Sequence, residues 1–209
     1  MSQKLFVRLG RTNLTVPKLG FGALPIQRTA CDEAVRILQR AYAAGVRFFD
    51  TARMYTDSEE KLGLALADVR DDVVLATKTL ATDAAQARSD LETSLAKLKT
   101  GYIDIIQLHN ASVVPDPAAS GTAYAALVQA RREGLVRHIG VSCHRRDVAL
   151  AAVQSGLFDT LQFPMSHISS PEDLSLIDAC RKHDVGLIAM KALCGGLLTN
   201  IKEHDVGAA

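Results

Sequence analysis

Tryptophan is absent from the 209 residues, and the aromatic residues together make up 5%. So thin a supply argues against the base-stacking platforms that single-stranded nucleic acids require. Charge offers no more: 24 Lys and Arg stand against 23 Asp and Glu, a formal net charge of +1. No basic run marks a footprint for a polyanion or an anionic bilayer. Long hydrophobic runs are missing too, and none approaches the roughly 20 residues that cross a membrane. The N-terminal MSQKLFVRLG lacks the apolar core of a signal peptide. Cys31, Cys143, Cys180 and Cys194 are scattered, with no C-x-x-C pair. That usage fits reduced thiols in a cytoplasmic protein better than disulfides or structural zinc.

What is present is alternation. Short β-branched, apolar runs recur, each followed by a longer stretch with helical periodicity. Candidate strands end at Gly22, Asp50, Lys78, His109, Ser142, Pro164 and Lys191. Runs such as Val73-Val-Leu-Ala-Thr and Leu187-Ile-Ala-Met suit strands covered on both faces, as parallel strands are. Between them, Asp32 to Ala44 places Ala34, Ile37, Leu38 and Ala41 on one stripe, with Gly45 as its stop. Asp83 to Leu98 does the same through Ala84, Ala87, Leu91, Leu95 and Leu98. Thr82 or Asp83, Ser58, and Ser170 before Pro171 are the expected N-caps. Ahead of these units, Leu5 to Val16 reads as a small antiparallel hairpin turning at Gly10-Arg-Thr-Asn.

Such βαβ repetition gives a parallel sheet with right-handed crossovers. A doubly wound dinucleotide fold usually opens on G-x-G-x-x-G, but Gly20-Phe-Gly22 is followed by Pro25 where the third glycine would fall. Seven evenly spaced units favour a TIM-type (β/α) barrel, one strand short of the usual eight. The expected organisation is a single domain over residues 1–209, with no linker.

In such barrels catalytic groups lie at the C-terminal ends of the strands. Asp50, Lys78 and His109 end three successive strands, and Tyr55 follows Asp50 in the next loop. Each alone has an ordinary explanation as a helix cap, a packing ring or a solvated charge. Jointly they make a chemically coherent set. A phenol is a poor acid at neutral pH, and a neighbouring ammonium is expected to lower its pKa. A carboxylate would orient the ammonium, and an imidazole could hydrogen-bond a carbonyl oxygen.

The same residues are where the chain resembles the aldo-keto reductases. The resemblance rests on Gly45-Val-Arg-Phe-Phe-Asp-Thr-Ala-Arg-Met-Tyr55, Val74-Leu-Ala-Thr-Lys78 and Tyr102-Ile-Asp-Ile-Ile-Gln-Leu-His109. Val136-Arg-His-Ile-Gly-Val-Ser142 and Gly186-Leu-Ile-Ala-Met-Lys extend it, so that it runs from the hairpin to about Leu198. It implies Tyr55 as general acid, Lys78 lowering its pKa, Asp50 paired with Lys78, and His109 orienting the carbonyl. It also implies NADP(H) across the barrel mouth, with a small carbonyl compound as substrate. Cofactor contacts would come from Gly22, Asp50, Ser142, Cys143, Gln162, Met190, Lys191, Leu193 and Gly195. Ser142 and Gln162 would hold the nicotinamide carboxamide, and the Lys191–Leu197 loop would approach the pyrophosphate.

The resemblance also shows departures. Cys143 stands where many relatives carry Asn, and Met190 where many stack a tyrosine. No counterpart of the eighth strand, or of the loop gripping the adenosine 2′-phosphate, is expected. Two other readings stand beside the reductase: a non-catalytic binding or assembly protein, self-associating through an open barrel edge, and a metal-dependent hydrolase using His109, His144 and His167 near Asp50.

Overall fold

A computed structural model describes residues 5–194. Two short strands, β1 (Phe6–Arg8) and β2 (Thr15–Pro17), form the antiparallel hairpin around a 3-10 turn at Gly10–Thr12. A second sheet holds seven strands in chain order: β3 (Phe21–Gly22), β4 (Phe48–Asp50), β5 (Val74–Thr79), β6 (Ile103–Leu108), β7 (Val136–Ser142), β8 (Thr160–Pro164) and β9 (Gly186–Met190). Every neighbouring pair is parallel. The result is a nearly closed barrel of TIM type. Among the described residues β3 and β9 do not pair with each other.

The helices between the strands are α1 (Cys31–Ala43), α2 (Ser58–Leu66), α3 (Ala84–Lys97), α4 (Ala123–Arg132), α5 (Arg146–Gln154) and α6 (Pro171–Lys182). None of the described helices is long and apolar enough to cross a membrane. Asp83 and Ser170 cap α3 and α6 by accepting from Gln86 N–H and Asp173 N–H, and Gly45 takes φ +99° just past α1. Ser58 departs from expectation. Asp57 occupies the cap position of α2, while the Ser58 hydroxyl is buried against Thr51 and donates to the Ala23 carbonyl. Ile37 likewise lies on the exposed edge of α1, leaving Ala34 and Leu38 as its buried stripe.

Two-residue alternation along the strands divides the barrel interior into layers. Near the strand starts, Phe48, Ala76 and Ile105 pack on Leu9 and Val16 of the hairpin, which plugs that end. One step along, the inward residues turn polar: Asp50, Lys78, Gln107 and Gln162. Most of the apolar core lies outside the barrel wall, between sheet and helices. Gly10, at φ +53°, lets the hairpin turn press onto β9; a Cβ there would lie 2.1 Å from Gly186 N. Arg8 pairs with Asp184 at 2.5 Å across the same junction.

Asp104 secures the strand starts on the outer face. Its buried carboxylate binds Arg70 at 2.7 Å and Arg137 at 2.8 Å, and accepts from Leu75 N–H at 2.9 Å. The two guanidinium groups also lie over the Tyr102 ring, with their carbons 4.0 and 3.9 Å from its centroid. Removing one member of a buried, hydrogen-bonded charge cluster strands the others. Asp104→Ala should therefore lower unfolding free energy by about 3–5 kcal/mol. Arg137→Ala, on the half-exposed side, should cost about 1 kcal/mol or less. Urea denaturation checks both, and equal losses would contradict this division.

Candidate active site

The polar layer opens into a cavity of about 590 Å³ lined by Asp50, Tyr55, Lys78, His109, Ser142, Gln162 and Met190, among others. Lys78 lies one residue inside β5, Asp50 ends β4, and His109 follows β6 directly. The Lys78 ammonium is buried and donates to Asp50 Oδ2 and to the Thr51 carbonyl, each at 2.7 Å. Asp50 is held from two further strands. Gln107 Nε2 donates to its Oδ1 at 3.2 Å, and Gln162 Nε2 to its Oδ2 at 3.0 Å.

Tyr55 sits over this pair. Its ring centroid is 5.4 Å from Lys78 Nζ and 5.9 Å from the His109 ring, which meets it edge-on. The turn that carries it is built from Tyr55 N–H to the Ala52 carbonyl and Ser58 N–H to the Tyr55 carbonyl. Thr56, the next residue, takes φ +42°. For a β-branched side chain that left-handed conformation costs about 1–2 kcal/mol. The surroundings must impose it.

The electrostatics correct one expectation. The Tyr55 pKa is not lowered here. Burial, helped by the negative charge of Asp50, pushes it up to about 12. The ammonium has committed two donors to Asp50 and Thr51, and makes no hydrogen bond to the phenol among the described residues. His109 moves the other way: burial first, then the Lys78 charge, push its pKa down to about 4. At neutral pH the site thus holds a protonated phenol and a neutral imidazole beside the Asp50–Lys78 salt bridge.

The remaining expected residues divide. Ser142, buried at the end of β7, accepts from Asn110 N–H at 3.0 Å, and among the described residues its own O–H has no acceptor. Gln162 Oε1 is buried without a hydrogen-bond partner among the described residues, as is His109 Nδ1. Gly22, Met190 and Lys191 line the cavity. Cys143 does not: alternation turns its side chain into the core, with its sulfur 3.8 Å from the Arg145 carbonyl. Leu193 is exposed and off the cavity wall, and Gly195 lies outside the described residues. Gln107 is a site residue that the strand-end pattern passes over, although a Gln two places before His109 in an apolar strand is a readable sign of a polar inner face. Asp50, His109, His144 and His167 form no metal-binding cluster among the described residues; His144 is instead bonded to Asn110 Oδ1 at 3.0 Å.

A family model described as the aldo/keto reductase family matches residues 18–208. The chain belongs to the aldo-keto reductase family. L-galactose dehydrogenase of Arabidopsis thaliana is 30% identical over 210 residues, covering 91% of this chain and 66% of that protein. Methylglyoxal reductase DkgB of Salmonella typhi is 28% identical over 192 residues, covering 88% and 69%. Among solved structures, an aldo/keto reductase from Klebsiella pneumoniae in complex with NADP and acetate is similar at a TM-score of 0.81 and 27% identity, covering 94% of this chain and 71% of that one. This aldo-keto reductase chain spans about two thirds of the length of the first curated relatives it matches.

The imidazole environment makes a testable statement. A folded-state pKa of about 4 against an ordinary 6.5 means the unfolded chain takes up the proton first as pH falls. His109 therefore withdraws stability as pH drops from 6.5 towards 4, and is silent above 6.5. NMR titration of the His109 ring should show a midpoint near 4. A midpoint at the ordinary value would refute the buried, neutral assignment.

Proposed function

We propose that the protein is an NADP(H)-dependent oxidoreductase that reduces an aldehyde or ketone to the alcohol, with Tyr55 as proton donor. The observation carrying this reading is the convergence of a protonated Tyr55, the buried Asp50–Lys78 pair and a neutral His109 on one cavity. The family supports it, as does the NADP named with the Klebsiella pneumoniae structure. The residues present also fit the nicotinamide end of the cofactor. Gln162 Oε1 is a buried acceptor in want of a donor, and the Ser142 hydroxyl is a donor in want of an acceptor. Together they complement a carboxamide, which offers an N–H and a carbonyl. Lys191, on the cavity wall after β9, adds a cation suited to a pyrophosphate.

When bound, NADPH supplies the hydride for the carbonyl carbon. The chain manages the oxygen. His109, neutral, can donate to the substrate carbonyl without adding a charge that would repel Lys78. As negative charge develops on that oxygen, Tyr55 transfers its proton. A raised phenol pKa does not prevent this, because an alkoxide is a far stronger base than a phenolate. The ammonium has three donors, two of them committed. The third is available to the phenolate as it forms, so Lys78 acts on the product side of the transfer rather than by acidifying Tyr55 in advance.

Tyr55→Phe should lower kcat for carbonyl reduction by about 10²–10⁴-fold. NADPH affinity, followed by cofactor fluorescence, should change less than about threefold, since the tyrosine adds no uniform binding in this scheme. The wild-type rate should be flat in pH between the His109 value of about 4 and the Tyr55 value of about 12, as far as these two groups are concerned. It should fall where His109 gains its proton or Tyr55 loses one. Full turnover in Tyr55→Phe would defeat the proposal. Failure of the wild-type chain to bind NADPH saturably would favour the non-catalytic reading.

A further inference from the structure

We propose that Glu59 is a positioning residue that sets the spacing between Tyr55 and Lys78, by tying the backbone segments of both to one buried carboxylate. The inference rests on the assignment of those two side chains as the proton-handling pair. Glu59 lies in the first turn of α2, is 1% exposed, and touches nothing in the cavity. Its two oxygens serve different elements. Oε1 accepts from the Thr77 hydroxyl at 2.7 Å and from the Ser94 hydroxyl of α3 at 2.6 Å. Oε2 pairs with the Arg53 guanidinium.

Each arm leads to one member of the pair. Thr77 directly precedes Lys78 on β5, so fixing its outward side chain fixes the inward projection of the ammonium. Arg53 stands two residues before Tyr55, and its N–H donates to the Lys78 carbonyl at 2.9 Å. The carboxylate thus closes a small ring: β5, the Tyr55 turn, and back to β5. That turn contains the strained Thr56, and left-handed strain of this kind persists only where neighbouring contacts over-determine the backbone. Helix packing alone would not call for an ionised group here. Burying a carboxylate is costly unless it is fully paired, and this one has three donors, drawn from β5, α3 and the catalytic loop.

The test uses two variants that cut different arms. Glu59→Gln keeps an oxygen for Thr77 and Ser94 but offers Arg53 no negative charge. Thr77→Val releases the strand arm without touching a charge, and serves as the second test should the Gln variant fold poorly. Both should reduce kcat by about tenfold to a hundredfold, the scale set by misplacing reacting groups by an ångström or less. KM for the carbonyl substrate should stay within about threefold, because ground-state binding is untouched. In a Tyr55→Phe background the same substitutions should change the residual rate less than about twofold, as expected for residues acting through one another.

Hydrogen exchange supplies a readout that needs no turnover. Amides of Tyr55 and Ser58 should exchange about tenfold faster in both variants, a local opening, while those of β6 keep their wild-type protection. If Tyr55→Phe is inactive but both variants keep wild-type kcat and exchange, the positioning role is wrong and the function stands. The positioning role is equally wrong if the two variants slow the Tyr55→Phe protein further by the full factor. If Tyr55→Phe itself is fully active, the function fails and takes this inference with it.

Discussion

Everything at the barrel mouth is organised around one buried ion pair. Taking the Lys78 ammonium out of water would cost several kcal/mol if it were alone. Asp50 neutralises it at 2.7 Å, and the Thr51 carbonyl accepts a second hydrogen bond from it. Asp50 is then fixed by Gln107 and Gln162, so strands β4, β5, β6 and β8 all contribute to one network. Such a network tolerates little slippage, since moving any of the four strands by one residue would turn its member of the network to the other face of the sheet. The same hydrogen bonds that stabilise the pair in a low-dielectric interior therefore hold the strand register.

This arrangement explains why Tyr55 and His109 are displaced in opposite directions from their ordinary pKa values. Both are partly desolvated, and desolvation favours the neutral form of each: protonated for a phenol, unprotonated for an imidazole. For Tyr55 the negative charge of Asp50 acts in the same direction as burial, and for His109 the positive charge of Lys78 does. The resting state is consequently uncharged at both groups facing the cavity. The Asp50–Lys78 pair lies beside them on the same cavity wall, held by its own hydrogen bonds. That is a suitable ground state for a reaction in which charge is meant to develop on a bound oxygen.

The strand–helix alternation, the hairpin and the gathering of Asp50, Tyr55, Lys78 and His109 are legible in the sequence, because each depends on periodicity and on position at a strand end. The Ser142 and Cys143 sidedness is legible in principle: adjacent residues of a strand cannot both face inward, so a serine on the cavity puts the cysteine in the core. The Tyr55 pKa direction is not. It depends on which of three neighbours the ammonium actually contacts, and a linear spacing cannot decide that. Ser58 misleads for a similar reason. A serine ahead of a helix satisfies the capping pattern, but here a tertiary partner, the Ala23 carbonyl, claims its hydroxyl and leaves the cap position to Asp57.

The barrel interior separates stability from chemistry by a single step along each strand. Phe48, Ala76 and Ile105 pack on the hairpin, while Asp50 and Lys78, two residues further on, line the cavity and Gln107 braces Asp50 from behind. Because the period is two, the apolar layer cannot be shifted without shifting the polar one. Outward-pointing residues of the same strands are divided in the same way: Thr77 meets the Glu59 carboxylate near the mouth, and Asp104 meets Arg70 and Arg137 near the strand starts. Each end of the wall thus has its own buried acid on the helix side. The lower one braces the sheet where no chemistry is needed. The upper one reaches the loop that bears Tyr55, so the rigidity of the outer layer is delivered to the one side chain on which the proposed proton transfer depends.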